Sequence, residues 1–332
     1  MTGGSIVGRY QAFPLAIDNI SSIQLTDADT LSEAGIVTEI GSNLYRYTVE
    51  NEPVILPPAE LGLFKRESFA PFQYGTPILY PPNRVKDATF SFNGRTYSLP
   101  QNEPPNHLHG ELCSRPWKVL AYGASDEDGA YVTSEFRITN HPDILSYFPH
   151  PLKITATHRL KEGELSLNVT IANEGFDEAP FAFGLHPYFA MPFNSGEEIE
   201  LTVPAAAEWP VTNQAFVTGE PQVTELSRKL PKGISIHDYP VLGCSLLTLE
   251  EGHHVCKMSL NNRGLSIHYA FDKKFPFLVL FRPDWADGFS LEPYTCVTDA
   301  FNLPYPGAMT GAKGIRSGET VSFDTKMWVK KE

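Results

Sequence analysis

Cysteine and positive charge are both scarce in this chain, and each scarcity closes off a class of function. The four cysteines, Cys113, Cys244, Cys256 and Cys296, form no C-x-x-C pair and no zinc-type spacing. Neither a disulfide framework nor a structural metal is indicated, and a reducing cytoplasm is the expected setting. Lys and Arg number 26 against 39 Asp and Glu, a formal net charge of −13. That balance argues against a nucleic-acid footprint or an anionic membrane surface and favours a neutral small molecule as partner. No apolar stretch approaches the roughly 20 residues of a membrane span, and MTGGSIVGRYQAFPLAID carries no basic leader, so a soluble, unexported protein is expected. Also missing are an internal repeat, a glycine-rich nucleotide fingerprint after a strand and a G-x-S-x-G elbow, which disfavours solenoids, nucleotide enzymes and serine hydrolases.

Helix-forming intervals are the last absence. The 28 prolines and 25 glycines are spread throughout, and only PAELGLFKRESF suggests a short helix. What remains is strand. Runs such as AGIVTEIG, LYRYTVE, ELSLNVTIANEG and GLSIHYAFD mostly alternate apolar and polar residues between turn residues, and FSFNGRTYSL carries Asn93-Gly94 between two such runs, a hairpin signal. Length alone suggests two domains, but no linker divides the 332 residues. Large all-β units can run this long, so residues 1–332 are read as a single antiparallel β-sandwich.

Four stretches place polar groups among apolar neighbours: YGTPILYPPNRV, PPNHLHGELCSRPW, FAFGLHPYF and GFSLEPYTC. In FAFGLHPYF, strand alternation sends Phe181, Phe183 and Leu185 one way and Ala182, Gly184, His186 and Tyr188 the other. Small residues beside an imidazole suggest a concave ligand site rather than a packed core. Asn83-Arg84 at a strand end offers a permanently charged fork for sugar or phosphate oxygens, or else a rim arginine paired with a surface carboxylate. Alternation puts His107 and His109 on one side of Leu108; two imidazoles are not a metal site, and hydroxyl recognition or a structural role both suit them. Ser290 and Glu292 share a face; a buried Glu292 would have a raised pKa and suit a general base, whereas an exposed one would be an ordinary edge carboxylate. One acid and one base with a polar rim fit proton shuttling without a covalent intermediate.

Taken in order, these motifs resemble the galactose mutarotase-like (aldose 1-epimerase) family, from about Ala34 to about Val329. GTPILYPPNRV, HLHGELCSRPWKV, GLHPYF and LEPYT carry the likeness. The resemblance implies an all-β fold, a large antiparallel β-supersandwich, and interconversion of the α and β anomers of a sugar without a cofactor or metal. It assigns His186 as general acid, Glu292 as general base, His109 as an assisting histidine, and Arg84 with Asn83 to substrate binding. Asp238 in SIHDYPVLG is the nearest match to the family's substrate-binding aspartate. On this reading Glu292 takes the proton of the anomeric hydroxyl while His186 protonates the ring oxygen, and the sugar recloses on the other carbonyl face. Reference pKa values near 6.5 for histidine and 4.3 for glutamate nearly permit the charged pair this needs. Ala182 and Gly184 would give the sugar ring room. A hexose-6-phosphate epimerase using Lys86, Arg115 and Lys118 for phosphate, or a non-catalytic carbohydrate-binding sandwich, are the alternatives.

Overall fold

The computed structural model describes residues 8–252 and 254–332; the beginning of the TGGSIVGRY stretch therefore lies outside the described residues. Two large antiparallel sheets carry the molecule. The larger has 12 strands and runs from an edge at Tyr10–Ile17, through Ile20–Asp27, Ser32–Val37, Asn43–Val49 and Glu52–Ile55, into Tyr188–Ala190, Gly288–Tyr294 and Phe277–Phe281. It ends on Cys244–Leu249 and Ala205–Trp209, with the short Gly184–Leu185 and Ile78–Leu79 pieces attached beside Gly288–Tyr294. The smaller sheet has nine strands, among them Leu152–Lys161, Glu164–Asn173 and Thr320–Lys331.

Alternation along those strands sets the packing. In Leu152–Lys161 every second residue is buried, so one face of the smaller sheet is apolar and must be covered. It meets the larger sheet in one core in which Ile154, Val169 and Phe323 join Ile36, Phe289 and Leu291. Each of these six side chains is at most 1% exposed, and full burial of such a side chain contributes about 1.5–3 kcal/mol. Strands at the centre of the larger sheet are covered on both sides. In Phe277–Phe281, Leu278 and Leu280 face that core while Phe277 and Val279 belong to a second cluster, which is why FLVLF reads as an unbroken apolar run.

Two local expectations meet different outcomes. Thr89–Phe92 and Arg95–Ser98 pair across a two-residue turn in which Asn93 and Gly94 have φ of 48° and 77°, as the Asn-Gly signal requires. PAELGLFKRESF forms only the single turn Leu63–Arg66, followed by a second at Ala70–Gln73. FAFGLHPYF is not one strand. It breaks into Ala179–Phe181, Gly184–Leu185 and Tyr188–Ala190, with His186 and Pro187 at the second break, because proline has no N–H to give a ladder. The four cysteines are free thiols, and among the described residues no helix is long and apolar enough to cross a membrane.

Candidate active site

The centre of the larger sheet opens on its outer face into a cleft of about 420 Å³, within the range of small-ligand sites. Its floor is the Gly288–Tyr294 strand, buried along its whole length. The register sets Ser290 opposite Tyr188 and Glu292 opposite Val279, so the two polar residues stand two apart on the cleft face while Phe289 and Leu291 fill the core. His186 reaches the same place because its backbone N–H is held by the Pro77 carbonyl at 3.0 Å and that of Tyr188 by Gly75 at 2.9 Å.

His186 and Glu292 touch, with Nε2 3.2 Å from Oε1, although their side chains are only 5% and 2% exposed. The surrounding hydrogen bonds decide where protons sit. Ser290 donates its hydroxyl proton to the Pro187 carbonyl at 2.9 Å, so at 2.9 Å from His186 Nδ1 it can only accept, and Nδ1 carries the proton. Nε2 then faces Glu292, with the Tyr188 hydroxyl 3.3 Å away. On the other carboxylate oxygen, Tyr294 donates its hydroxyl to Oε2. Burial drives both titrations: it pushes the Glu292 carboxyl up to about 8 against the pull of the Tyr294 hydroxyl and the Arg84 charge, and the His186 imidazole down to about 3. Both shifts favour a neutral pair, in which the single proton lies on Glu292 and hydrogen-bonds to Nε2. This order is the reverse of the reference values used in the sequence reading.

His109 completes the imidazole wall, its ring edge-on to His186 at 5.1 Å. Burial first, and then the positive charge of Arg84, holds it neutral well below the usual histidine range. Its Nδ1 accepts the Asn83 backbone N–H at 3.2 Å, which leaves the proton on Nε2 as a donor. Asn83, His109 and Gly110 all have left-handed backbones, φ 56°, 61° and 67°. At Gly110 a Cβ would lie 2.0 Å from the Tyr80 carbonyl oxygen, so glycine alone permits this close approach. Asn83 lines the cleft, but its Oδ1 accepts from the Arg84 N–H at 2.9 Å and steadies the turn. Arg84 also lines the cleft and is paired with a carboxylate, so it joins features of both sequence readings: Nε and Nη2 donate to Glu103 at 2.5 and 2.6 Å.

Several expectations need correction. Asp238 is exposed at the end of the Ile236–Asp238 turn and does not line the cleft. His107 and His109 do not share a side, because the left-handed backbone of His109 breaks the alternation. His107 binds the Pro100 carbonyl through Nδ1 at 2.6 Å and borders a separate, narrow apolar recess of about 60 Å³ beside Tyr80, Phe90 and Phe148. Ala182 borders that recess too. Gly184 gives its room to protein: a Cβ there would meet the Tyr294 ring at 2.4 Å and Pro82 at 2.8 Å, since Gly184 is the direct cross-strand partner of Tyr294. Lys86 and Lys118 are exposed outside the cleft, and Arg115 is engaged by Glu111 and by Asp143 at 2.6 Å.

Sequence reasoning missed Glu103, Tyr294 and the aromatic wall of Phe72, Phe281 and Trp285. The short spacing in Ser290-Leu-Glu292-Pro-Tyr294 was the available signal for Tyr294. Glu103 gave none, because it meets Arg84 only through the fold.

Comparison with known proteins speaks to the family and the fold. The family model described as Aldose 1-epimerase matches residues 22–328. YihR of Escherichia coli (strain K12), a protein described as uncharacterized, is 24% identical over 81% of this chain and 82% of its own. Galactose mutarotase of Mus musculus is 28% identical over 57% of this chain and 55% of its own, so that match spans little more than half of each protein. Among solved structures, a galactose mutarotase-like protein from Clostridium acetobutylicum superposes with a TM-score of 0.87 at 23% identity, covering 98% of this chain and 99% of that one. At such identity the superposition speaks for the fold, and the family match over nearly the whole length speaks for kinship. The chain belongs to the aldose 1-epimerase family.

Proposed function

We propose that the protein is an aldose 1-epimerase that interconverts the α and β anomers of a free aldohexose by acid and base catalysis, with no cofactor, in one domain. The observation that carries this reading is the 3.2 Å contact between His186 and Glu292 in the cleft. The anomeric and ring oxygens of a pyranose share one carbon, so two groups this close can address both without a large movement. His186 holding the proton protonates the ring oxygen as Glu292 accepts the anomeric hydroxyl proton; the hemiacetal opens, the bond beside the carbonyl rotates, and reclosure returns both protons. The pair reaches this arrangement by passing its one proton from Glu292 to Nε2. Positive charge on Arg84 favours the ionised carboxylate during that transfer.

His109 Nε2 and the free N–H groups of Arg84 would orient the hydroxyls, and the aromatic wall would lie against the apolar face of the ring. A hexose 6-phosphate is disfavoured, since Lys86, Arg115 and Lys118 all lie outside the cleft. A pure binding module would have no use for a proton shared between two buried groups. One hydrophobic cluster that runs from Tyr10 to Met327 supports one domain.

The test is anomer exchange followed by NMR on a panel of free and phosphorylated aldoses, with no metal or nucleotide added and with EDTA present. Acceleration with a free aldohexose is expected. Exchange confined to 6-phosphosugars would overturn the free-sugar reading, and binding without exchange would overturn the enzymatic one.

A further inference from the structure

Beside the reacting pair the cleft contains a partly buried ion pair, and it is bound more firmly. Glu103 grips Arg84 with both carboxylate oxygens, and a third guanidinium N–H goes to the Gln214 carbonyl at 3.2 Å. The side chains are 21% and 26% exposed, so part of each still reaches the cleft. Glu103 is not free to swing away. Its N–H and carbonyl are tied to the carbonyl and N–H of Asn106 at 3.2 and 2.7 Å, and Pro104 and Pro105 fill the turn between them. Asn106 is anchored in turn through Oδ1, which accepts the Asp87 N–H at 3.2 Å.

The chemistry left over is specific. A guanidinium has five N–H groups, of which two remain, and a carboxylate has about four acceptor positions, of which two remain. Donors and acceptors therefore stand side by side, the complement of adjacent hydroxyls that each donate and accept. The pair also cancels its own charge. Arg84 is the only Lys or Arg among the described residues lining the cleft, and the one proton shared by His186 and Glu292 leaves that pair neutral overall. A ligand bearing a carboxylate or phosphate at this end finds its only cation already occupied by a pinned anion.

We propose that Glu103 is a specificity-determining residue: fixed on Arg84, it makes the cleft take neutral sugars through vicinal hydroxyls and reject acidic ones. This rests on the cleft being a sugar site. Selection here comes from a repulsive element as much as from an attractive one.

The experiment compares D-galactose with D-galacturonate, which differ by a carboxylate at one carbon, in the unaltered protein, Glu103→Gln and Glu103→Asp. Anomer exchange gives kcat and KM, and calorimetry gives binding of the same two sugars. The unaltered protein is expected to prefer galactose by roughly 100-fold in kcat/KM, in keeping with the penalty for like charges placed together. Glu103→Gln keeps the bulk but frees the Arg84 charge; the preference should fall about tenfold or more while KM for galactose rises. Glu103→Asp keeps the charge and should retain most of the preference. An unchanged preference in Glu103→Gln, or equal handling of both sugars by the unaltered protein, would overturn the proposal. If no protein accelerates exchange, the enzymatic reading fails, while the ratio of the two binding constants still decides the role of Glu103.

Discussion

His158 and His186 are both buried histidines whose imidazoles burial pushes down to about 3, yet they are opposites. His158 stands on the core face of Leu152–Lys161, between Val132 and Leu167 on the neighbouring strands, and is 0% exposed. Among the described residues neither of its ring nitrogens has a hydrogen-bond partner. His186 is almost as buried, but Ser290 holds one nitrogen and Glu292 and Tyr188 meet the other. A depressed pKa therefore marks burial in both places, and only at His186 does it accompany partners on both ring nitrogens. What distinguishes the site is that its groups constrain one another's protons.

The largest effects should fall on the partnered histidine. His186→Gln and Glu292→Gln should each lower kcat by about 10²- to 10⁴-fold, the usual contribution of a general acid or base, with melting temperature and sugar affinity changing little. Near-normal exchange in either variant would return His186 to the same standing as His158. Next comes pH. With Glu292 raised to about 8 and His186 lowered to about 3, the pair holds one proton across the interval between. Accordingly, kcat/KM should stay level from pH 5 to 7.5 and fall as the pair loses its proton above about 8. Groups at their reference values would already decline above about 6.5.

A smaller change tests the support of the carboxylate. Tyr294→Phe removes the hydroxyl that lowers the Glu292 pKa, so the alkaline limb should move upward and kcat/KM should drop roughly tenfold, a typical loss for a hydrogen bond to a charged group. Smallest is the change at the unpartnered ring. His158→Leu should leave kcat and KM alone and raise stability by about 1 kcal/mol, because it exchanges an unpaired buried polar group for an apolar one of similar size. Chemical denaturation reads this directly, and a loss of activity would show that the contrast between the two histidines is misdrawn.

The β class, the Asn93-Gly94 hairpin and the meeting of His186, Glu292, His109 and Arg84 were legible because each rests on local periodicity or on a short motif. Less legible was everything that depends on which strand lies beside which. Gly184 looked like an opening for a ligand, and only the pairing with Tyr294 shows that an aromatic ring fills it. His109 left the expected side through one left-handed φ, which alternation cannot anticipate. Asp238 was sought in a stretch of chain, whereas Glu103 joins the cleft through the pairing of His107–Leu108 with Arg84–Val85 and the turn that precedes it. Nothing in NEPPN announces that meeting.

The contact between His186 and Glu292 has a consequence for the surroundings of the enzyme. On the proposed mechanism, ring opening moves a proton from sugar to Glu292 and another from His186 to sugar, and reclosure reverses both transfers. Each catalytic cycle thus hands back the proton it borrowed, and no hydronium or hydroxide from bulk water takes part. Sealed at 5% and 2% exposure, the couple is insulated from solvent proton carriers. Turnover at fixed pH and ionic strength should accordingly be indifferent to buffer concentration, in contrast to spontaneous mutarotation in the same solution, which buffer acids and bases accelerate.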